Sequence, residues 1–363
     1  MKRITAALLA LALVAGASYG CQANGANGVD SAQPGKTGKK ISVVCTIFPQ
    51  YDWTRQILGD KAGGVDATLL LDNKIDLHNY QPAVDDMMKI SECDLFIYVG
   101  GESDWWVDAA LAQAANKDMT VINLLETLGD AAKEEEIIEG MEAENVHEEG
   151  DTESSDGGES SGDGEHGNTE SNAESDPDGD AGEEAEYDEH VWLSLKNART
   201  LCGAIADALA KLDAANAAEY RSNLAAYDAK LSALDTEYRA ATGAAATKTL
   251  LFGDRFPFRY MVDDYGLGYY AAFAGCSAES EASFATVIFL VEKVDELGLK
   301  TIMVTESSDQ SIARTIRDNS SAKNQQILAL DSMQSIGASD VADGATYLSI
   351  MQSNLDVLKD ALR

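Results

Sequence analysis

Residues 65–100 read VDATLLLDNKIDLHNYQPAVDDMMKISECDLFIYVG. The stretch opens on a strand-like run, Val65 to Leu71, and closes on another, Asp94 to Val99, rich in aromatic and β-branched residues. Between them, Ala83 to Ser91 has the spacing of a helix. Strand, helix and strand in so short a span predict a parallel βαβ unit, because parallel neighbours need a crossover of this kind. DLHNYQP, Asp76 to Pro82, then falls in the loop beyond the first strand, where open α/β sheets bind their ligands. That loop carries His78, one of only four histidines in 363 residues.

The same alternation extends outward. Lys40 to Thr46 and Met119 to Asn123 read as strands, and Phe48 to Leu58 and Trp105 to Ala115 as helices. A second block starts at Thr249 to Phe252. It continues as a helix over 256–265, the strand YYAAFAG, a helix over 283–297, the strand TIMVT, a helix over 309–318, the strand QILAL and a helix over 343–361. The predicted architecture is α/β: two Rossmann-like lobes of parallel sheet flanked by helices, joined by a long rigid helix, with a cleft between them. The N-terminal lobe takes residues 40–132 and ends with 187–212. The linking helix runs over 213–242, and the C-terminal lobe over 243–363.

Charge sets the insert apart. The formal net charge is −35, from 62 acidic and 27 basic residues, which argues against a nucleic-acid partner. Of the acidic residues, 24 lie between Glu134 and Glu189, with no Lys or Arg among them. Residues 133–186 have too few large apolar side chains to bury a core, so a disordered acidic loop inserted in the first lobe is expected.

The N-terminus reads as a targeting segment. Lys2 and Arg3 precede an apolar run, Ile4 to Ala15, which is too short to span a bilayer. Residues 1–20 form the expected signal peptide, and 21–39 a flexible tether. Small residues before Cys21 resemble a bacterial lipoprotein signal, with Cys21 lipidated. Ser18 stands where that pattern prefers Leu, and Ala15-Gly16-Ala17 offers simple secretion as the other outcome. Cys45, Cys93, Cys202 and Cys276 could form up to two disulfides or remain buried thiols.

His190 sits in YDEHVWL, where order returns after the acidic tract, while His147 and His166 lie inside the tract. Two histidines at element ends, with carboxylates nearby, suit a divalent transition metal.

Several segments resemble the metal-specific substrate-binding proteins of bacterial ABC transporters, the zinc- and manganese-binding group. DLHNYQPAVDDMMKISECDLFIYVG is similar to that family's EPHDYEP loop, helix and strand, and YDEHVWLSLKNA to its DPHVWLDPKNA. FGDRFPFRYMVDDYGL is similar to HDAFGYFARDYGL, LALDSMQSI to the segment holding the last carboxylate ligand, and YLSIMQSNLDVLKDAL to the closing helix. The likeness covers nearly all of residues 40–363, and the motifs appear in the family's order.

The resemblance implies a protein that catalyses nothing and holds Zn²⁺ as transported cargo, with Mn²⁺ (or iron) as the alternative. His78, His190 and Asp331 match its ligands. Its third ligand, His in zinc binders and Glu in manganese binders, falls on Gly253, leaving the neighbouring Asp254 as the tentative replacement. Glu279 and Glu306 stand as weaker substitutes. His147 and His166 would serve an auxiliary metal trap. The implied partners are an ABC permease and its ATPase, with a monomer lipid-anchored to the outer face of the cytoplasmic membrane.

Two other classes share parts of this pattern. A zinc hydrolase would use two histidines and a carboxylate, but neither HExxH nor GxSxG occurs. A calcium-binding adhesion protein would use the acidic tract, but no DxDxDG-type loop occurs.

Overall fold

The computed structural model describes residues 40–142, 186–277 and 281–363. The leader, the tether with Cys21, and His147 and His166 lie outside the described residues, as does Glu279.

Strand β1 (Ile41–Cys45) leads into helix α1 (Phe48–Leu58), then β2 (Val65–Leu69), α2 (Val84–Glu92), β3 (Leu95–Tyr98), α3 (Val107–Ala112), β4 (Thr120–Asn123) and α4 (Leu124–Leu128). All pairings are parallel and the strand order is β2-β1-β3-β4. Val43, Val44 and Cys45 in β1, and every residue of β3, are buried, as a parallel sheet covered on both faces requires. After the acidic tract, α5 (Leu195–Leu212) packs back on α1 and α4.

Helix α6 (Ala217–Ala244) is 28 residues long, so it spans about 42 Å. Tyr220, Tyr227, Leu231, Leu234 and Tyr238 make its buried stripe at helical spacing. It packs against α1 and α5 near one end and the C-terminal helix near the other.

The second lobe repeats the plan with β5 (Thr249–Phe256), α7 (Arg259–Tyr265), β6 (Gly268–Ala274), α8 (Phe284–Leu297), β7 (Thr301–Thr305), α9 (Ser311–Asn319), β8 (Gln326–Leu330), α10 (Ala338–Ala342) and α11 (Tyr347–Ala361). Its parallel order, β6-β5-β7-β8, matches that of the first sheet. Several boundaries differ from the sequence reading by a few residues, and two of the differences have a clear local cause. β5 continues to Phe256, through a bulge between Phe252 and Arg255 that keeps both Phe252 and Phe256 buried. The C-terminal helix is split: Gly344 breaks the chain at φ 95°, and Thr346 caps α11 by accepting from the Ser349 N–H.

The larger apolar core runs through both lobes, and a second cluster around Leu251, Leu290 and Ile302 lies in the C-terminal lobe. Buried hydrogen bonds fasten the lobes together. Tyr347 Oη donates to Trp192 O at 2.6 Å, Trp192 Nε1 donates to Ser332 O at 2.8 Å, and Tyr260 Oη donates to Asp188 O at 2.9 Å. Part of the acidic insert is also fixed. Glu134 pairs antiparallel with Tyr187, and Glu142 lies beside Phe273 of β6 with its N–H on Ala272 O at 2.9 Å. Among the described residues no helix is long and apolar enough to cross a membrane.

Candidate metal centre

His78 lies in a short 3₁₀ turn, Leu77–Asn79, whose cap Asp76 accepts the His78 N–H at 3.1 Å. The other Asp76 oxygen takes the Arg255 guanidinium at 2.8 Å, so β5 of the opposite lobe steadies the turn. His190 is fully buried and ends the tight turn that returns from the acidic tract. Asp188 Oδ1 accepts both its backbone N–H, at 2.8 Å, and its Nδ1, at 2.9 Å. His78 Nδ1 is 2.8 Å from Ser103 Oγ.

The Asp188 carboxylate accepts a hydrogen bond from His190 Nδ1 and so leaves the His190 Nε2 lone pair free, and Ser103 Oγ accepting at Nδ1 does the same for His78. The two Nε2 atoms stand 3.3 Å apart. A tetrahedral zinc with Zn–N of about 2.0–2.1 Å has an N···N edge of about 3.3 Å. The pair is therefore set at the spacing that a single zinc ion needs. Gln334 supplies a polar group over this pair, its Nε2 lying 2.8 Å from both ring nitrogens. An amide NH₂ donating one proton to each lone pair stands where a cation would stand.

Electrostatics favour neutral imidazole at His78. Burial, then the His190 charge, pushes it down to about 3. At His190 burial opposes the charge, but Asp188 outweighs it and the net shift is upward. Behind the pair, Glu189 is 1% exposed. Its Oε1 accepts the Ser103 N–H at 2.7 Å, and its Oε2 has no hydrogen-bond partner and lies 3.6 Å from His78 Nδ1. Burial pushes that carboxyl up to about 7.

The other anticipated residues sit elsewhere. Asp254 Oδ2 accepts from the Thr305 N–H and Oγ1, and its Oδ1 from the Arg255 N–H, so its oxygens are held within the second lobe. Asp331 Oδ1 accepts the Met333 N–H at 2.8 Å. Burial and the nearby Glu306 push Asp331 up to about 7. Glu306 itself is taken by Ser332. Among the described residues, the cluster of potential ligand atoms lying within 4.8 Å of one another joins His78 and His190 to Cys276, not to either aspartate.

Gly253 is closed to any side chain, since a Cβ there would lie 2.7 Å from Ala313 Cα in α9. The register is also corrected. Set without gaps against the family's HDAFGYFARDYGL, the segment Arg255 to Leu267 places Arg255 at the histidine.

Cys276 and Gln334 are the residues that the sequence reading missed as site members. Cys276 lies two residues past the end of β6 and so sits at a strand's carboxyl end, which is the available signal. Gln334 has no such signal, lying three residues beyond the expected ligand Asp331. Cys45, Cys202 and Cys276 carry free thiols, and Cys93 is buried with Sγ 3.2 Å from Ile90 O.

The family model for the zinc-uptake complex component A, periplasmic, matches residues 43–361. The chain belongs to this family. It is 29% identical over 325 residues to the high-affinity zinc uptake system protein ZnuA of Bacillus subtilis, covering 90% of this chain and 88% of that one. It is 25% identical over 324 residues to the zinc-binding protein AdcA of Streptococcus pyogenes, covering 88% of this chain and 56% of the relative. The chain thus spans little more than half the length of AdcA. The Zn(II)-bound ZnuA-like domain of Streptococcus pneumoniae AdcA superposes with a TM-score of 0.63 at 25% identity, over 89% of this chain and 99% of the domain. The two-lobed fold and its cleft are those of the zinc-uptake family.

Proposed function

We propose that this chain captures Zn²⁺ outside the cytoplasmic membrane and hands it to the permease of an ABC importer, whose ATPase drives transport. One observation carries the reading: two buried imidazoles, each with Nδ1 held by an oxygen, present Nε2 atoms at the zinc spacing of 3.3 Å. His78 and His190 bind the ion as neutral ligands, and the protein itself catalyses no reaction. Zinc is favoured over manganese because imidazole suits a borderline-soft ion better than a hard one. Lipidation at Cys21 would keep the monomer at the outer membrane face.

The acidic tract feeds this site. Glu186 and Tyr187, where its described part resumes, line a cavity of about 320 Å³ together with His78, Glu135, Glu189 and Cys276. His147, His166 and the tract's carboxylates would collect ions weakly. Competition calorimetry with Zn²⁺ on the purified chain tests the reading. Tight binding of one ion, unchanged when residues 143–185 are deleted, is expected. Loss of tight binding on that deletion would place the true site in the tract.

A further inference from the structure

Two histidines leave a tetrahedral ion half-coordinated, and the expected ligands Asp254 and Asp331 lie outside the cluster that the two histidines form. The second lobe instead brings a sulfur. Gly275 packs on the His190 ring so closely that a Cβ there would lie 3.0 Å from His190 Cε1. The bare backbone at Gly275 lets the end of β6 approach, and the next residue, Cys276, arrives at the histidine pair. Its backbone is fixed by an N–H bond to Glu135 Oε1 at 3.1 Å. The thiol and one nitrogen of each histidine lie within 4.8 Å of one another. A zinc with Zn–S of about 2.3 Å needs S···N near 3.5 Å, so a closure of at most about 1.3 Å brings the thiol to bonding distance of those nitrogens. Buried Glu189 lines the same cavity, and its Oε2 has no hydrogen-bond partner.

We propose that Cys276 is the third protein ligand, bound as a thiolate, and that the transported ion is accordingly of the zinc, cadmium or cobalt(II) type rather than manganese. This rests on the metal-capture reading above. On loading, the S–H bond breaks, the metal–sulfur bond forms and one proton leaves to solvent, with no change of oxidation state. A thiolate also lowers the net charge of the loaded site by one, in a cleft whose other near neighbours are already acidic.

Cobalt(II) titration of the purified chain tests this, because thiolate ligation gives a sulfur-to-cobalt charge-transfer band. The wild type should show that band and Cys276→Ser should lack it. Zinc affinity of Cys276→Ser should fall by more than the roughly 10–100-fold that loss of a supporting residue costs. Mn²⁺ affinity should change less, manganese having little preference for sulfur. A band that survives in Cys276→Ser, or a wild type that binds cobalt without one, overturns the thiolate ligand and leaves the zinc reading standing. Undiminished zinc binding by His78→Ala would overturn the reading itself. Should Cys276→Ser fold poorly, alkylation of the wild-type thiol mapped by mass spectrometry decides the matter. Zinc should protect Cys276, and equal labelling with and without zinc refutes the proposal.

Discussion

His78 and His190 meet Nε2 to Nε2 at 3.3 Å, one brought by the loop after β2 and the other by the turn before α5. Neither approach would be stable without its carboxylate or hydroxyl partner, since two imidazole lone pairs facing each other repel. Gln334 now relieves that repulsion with its amide protons. A cation would relieve it better. Replacing either histidine with Ala should lower zinc affinity by more than about 100-fold, beyond the usual cost of an outer residue. Calorimetry with a competing chelator measures it. The metal-free melting temperature of His78→Ala should also fall, because removing the buried ring ends its contacts with Ser103 Oγ and Gln334 Nε2, both at 2.8 Å.

Asp188 sets the His190 tautomer by accepting at Nδ1. In Asp188→Asn the amide oxygen can still accept there, but the negative charge that raises ligand basicity is gone. Zinc affinity should fall by about 10-fold, at the lower end of the range for such residues. Asp188→Ala should fall further, because the Nδ1 proton then has no acceptor and the ring can turn. The ordering Ala below Asn below wild type is the test. Equal affinities for all three would remove Asp188 from the site.

The fold was legible because it rests on periodicity. The two parallel sheets, the linking helix and the order of elements all follow from alternating apolar runs, from β1 through α11. The loop histidines were legible because they stand at strand and helix ends. Cys276 was hidden because a thiol after an apolar strand looks the same whether it fills space or binds metal. Gln334 was hidden because its role depends on Met333 adopting φ 62°, a backbone turn that nothing nearby announces. The third-ligand position fell on Gly253 through a slip of register that the sequence itself corrects, since the ungapped segment Arg255 to Leu267 sets Arg255 at the family's histidine.

Asp104 gives the protein a pH-dependent stability separate from metal binding. The carboxyl is 4% exposed, accepts the Val99 and Gly100 N–H groups at 2.9 Å, and has a second oxygen without a partner. Burial pushes it up to about 6, against about 3.9 in an unfolded chain. The folded state therefore holds the proton more firmly. The stabilisation is fully present below about pH 4 and is lost as pH rises through about 6, by at most about 3 kcal/mol. Asp104→Asn keeps an acceptor for the two N–H groups and cannot ionise. Chemical denaturation from pH 4 to 7 should show a smaller fall for Asp104→Asn than for wild type. Parallel curves would mean that Asp104 titrates normally.

Gly253 offers a test of which lobe position can hold a further ligand. Its Cα approaches α9 so closely that an added Cβ meets Ala313 Cα at 2.7 Å and its N at 2.9 Å, both unyielding backbone atoms. Gly253→Ala should therefore destabilise the protein by about 1–3 kcal/mol through overpacking. Gly253→His should cost more, and its ring would have to displace the start of α9 before reaching the cleft. Neither variant should bind zinc more tightly than wild type. Arg255→His, by contrast, places an imidazole where Arg255 now reaches Asp76 beside His78, at the cleft. It should fold, losing the ion pair with Asp76 and the long hydrogen bond to Ser277 O, and should retain or raise zinc affinity. Thermal melting and zinc competition on the three variants separate the positions. A Gly253→His protein that melts like wild type and binds zinc more tightly would restore Gly253 as the ligand position.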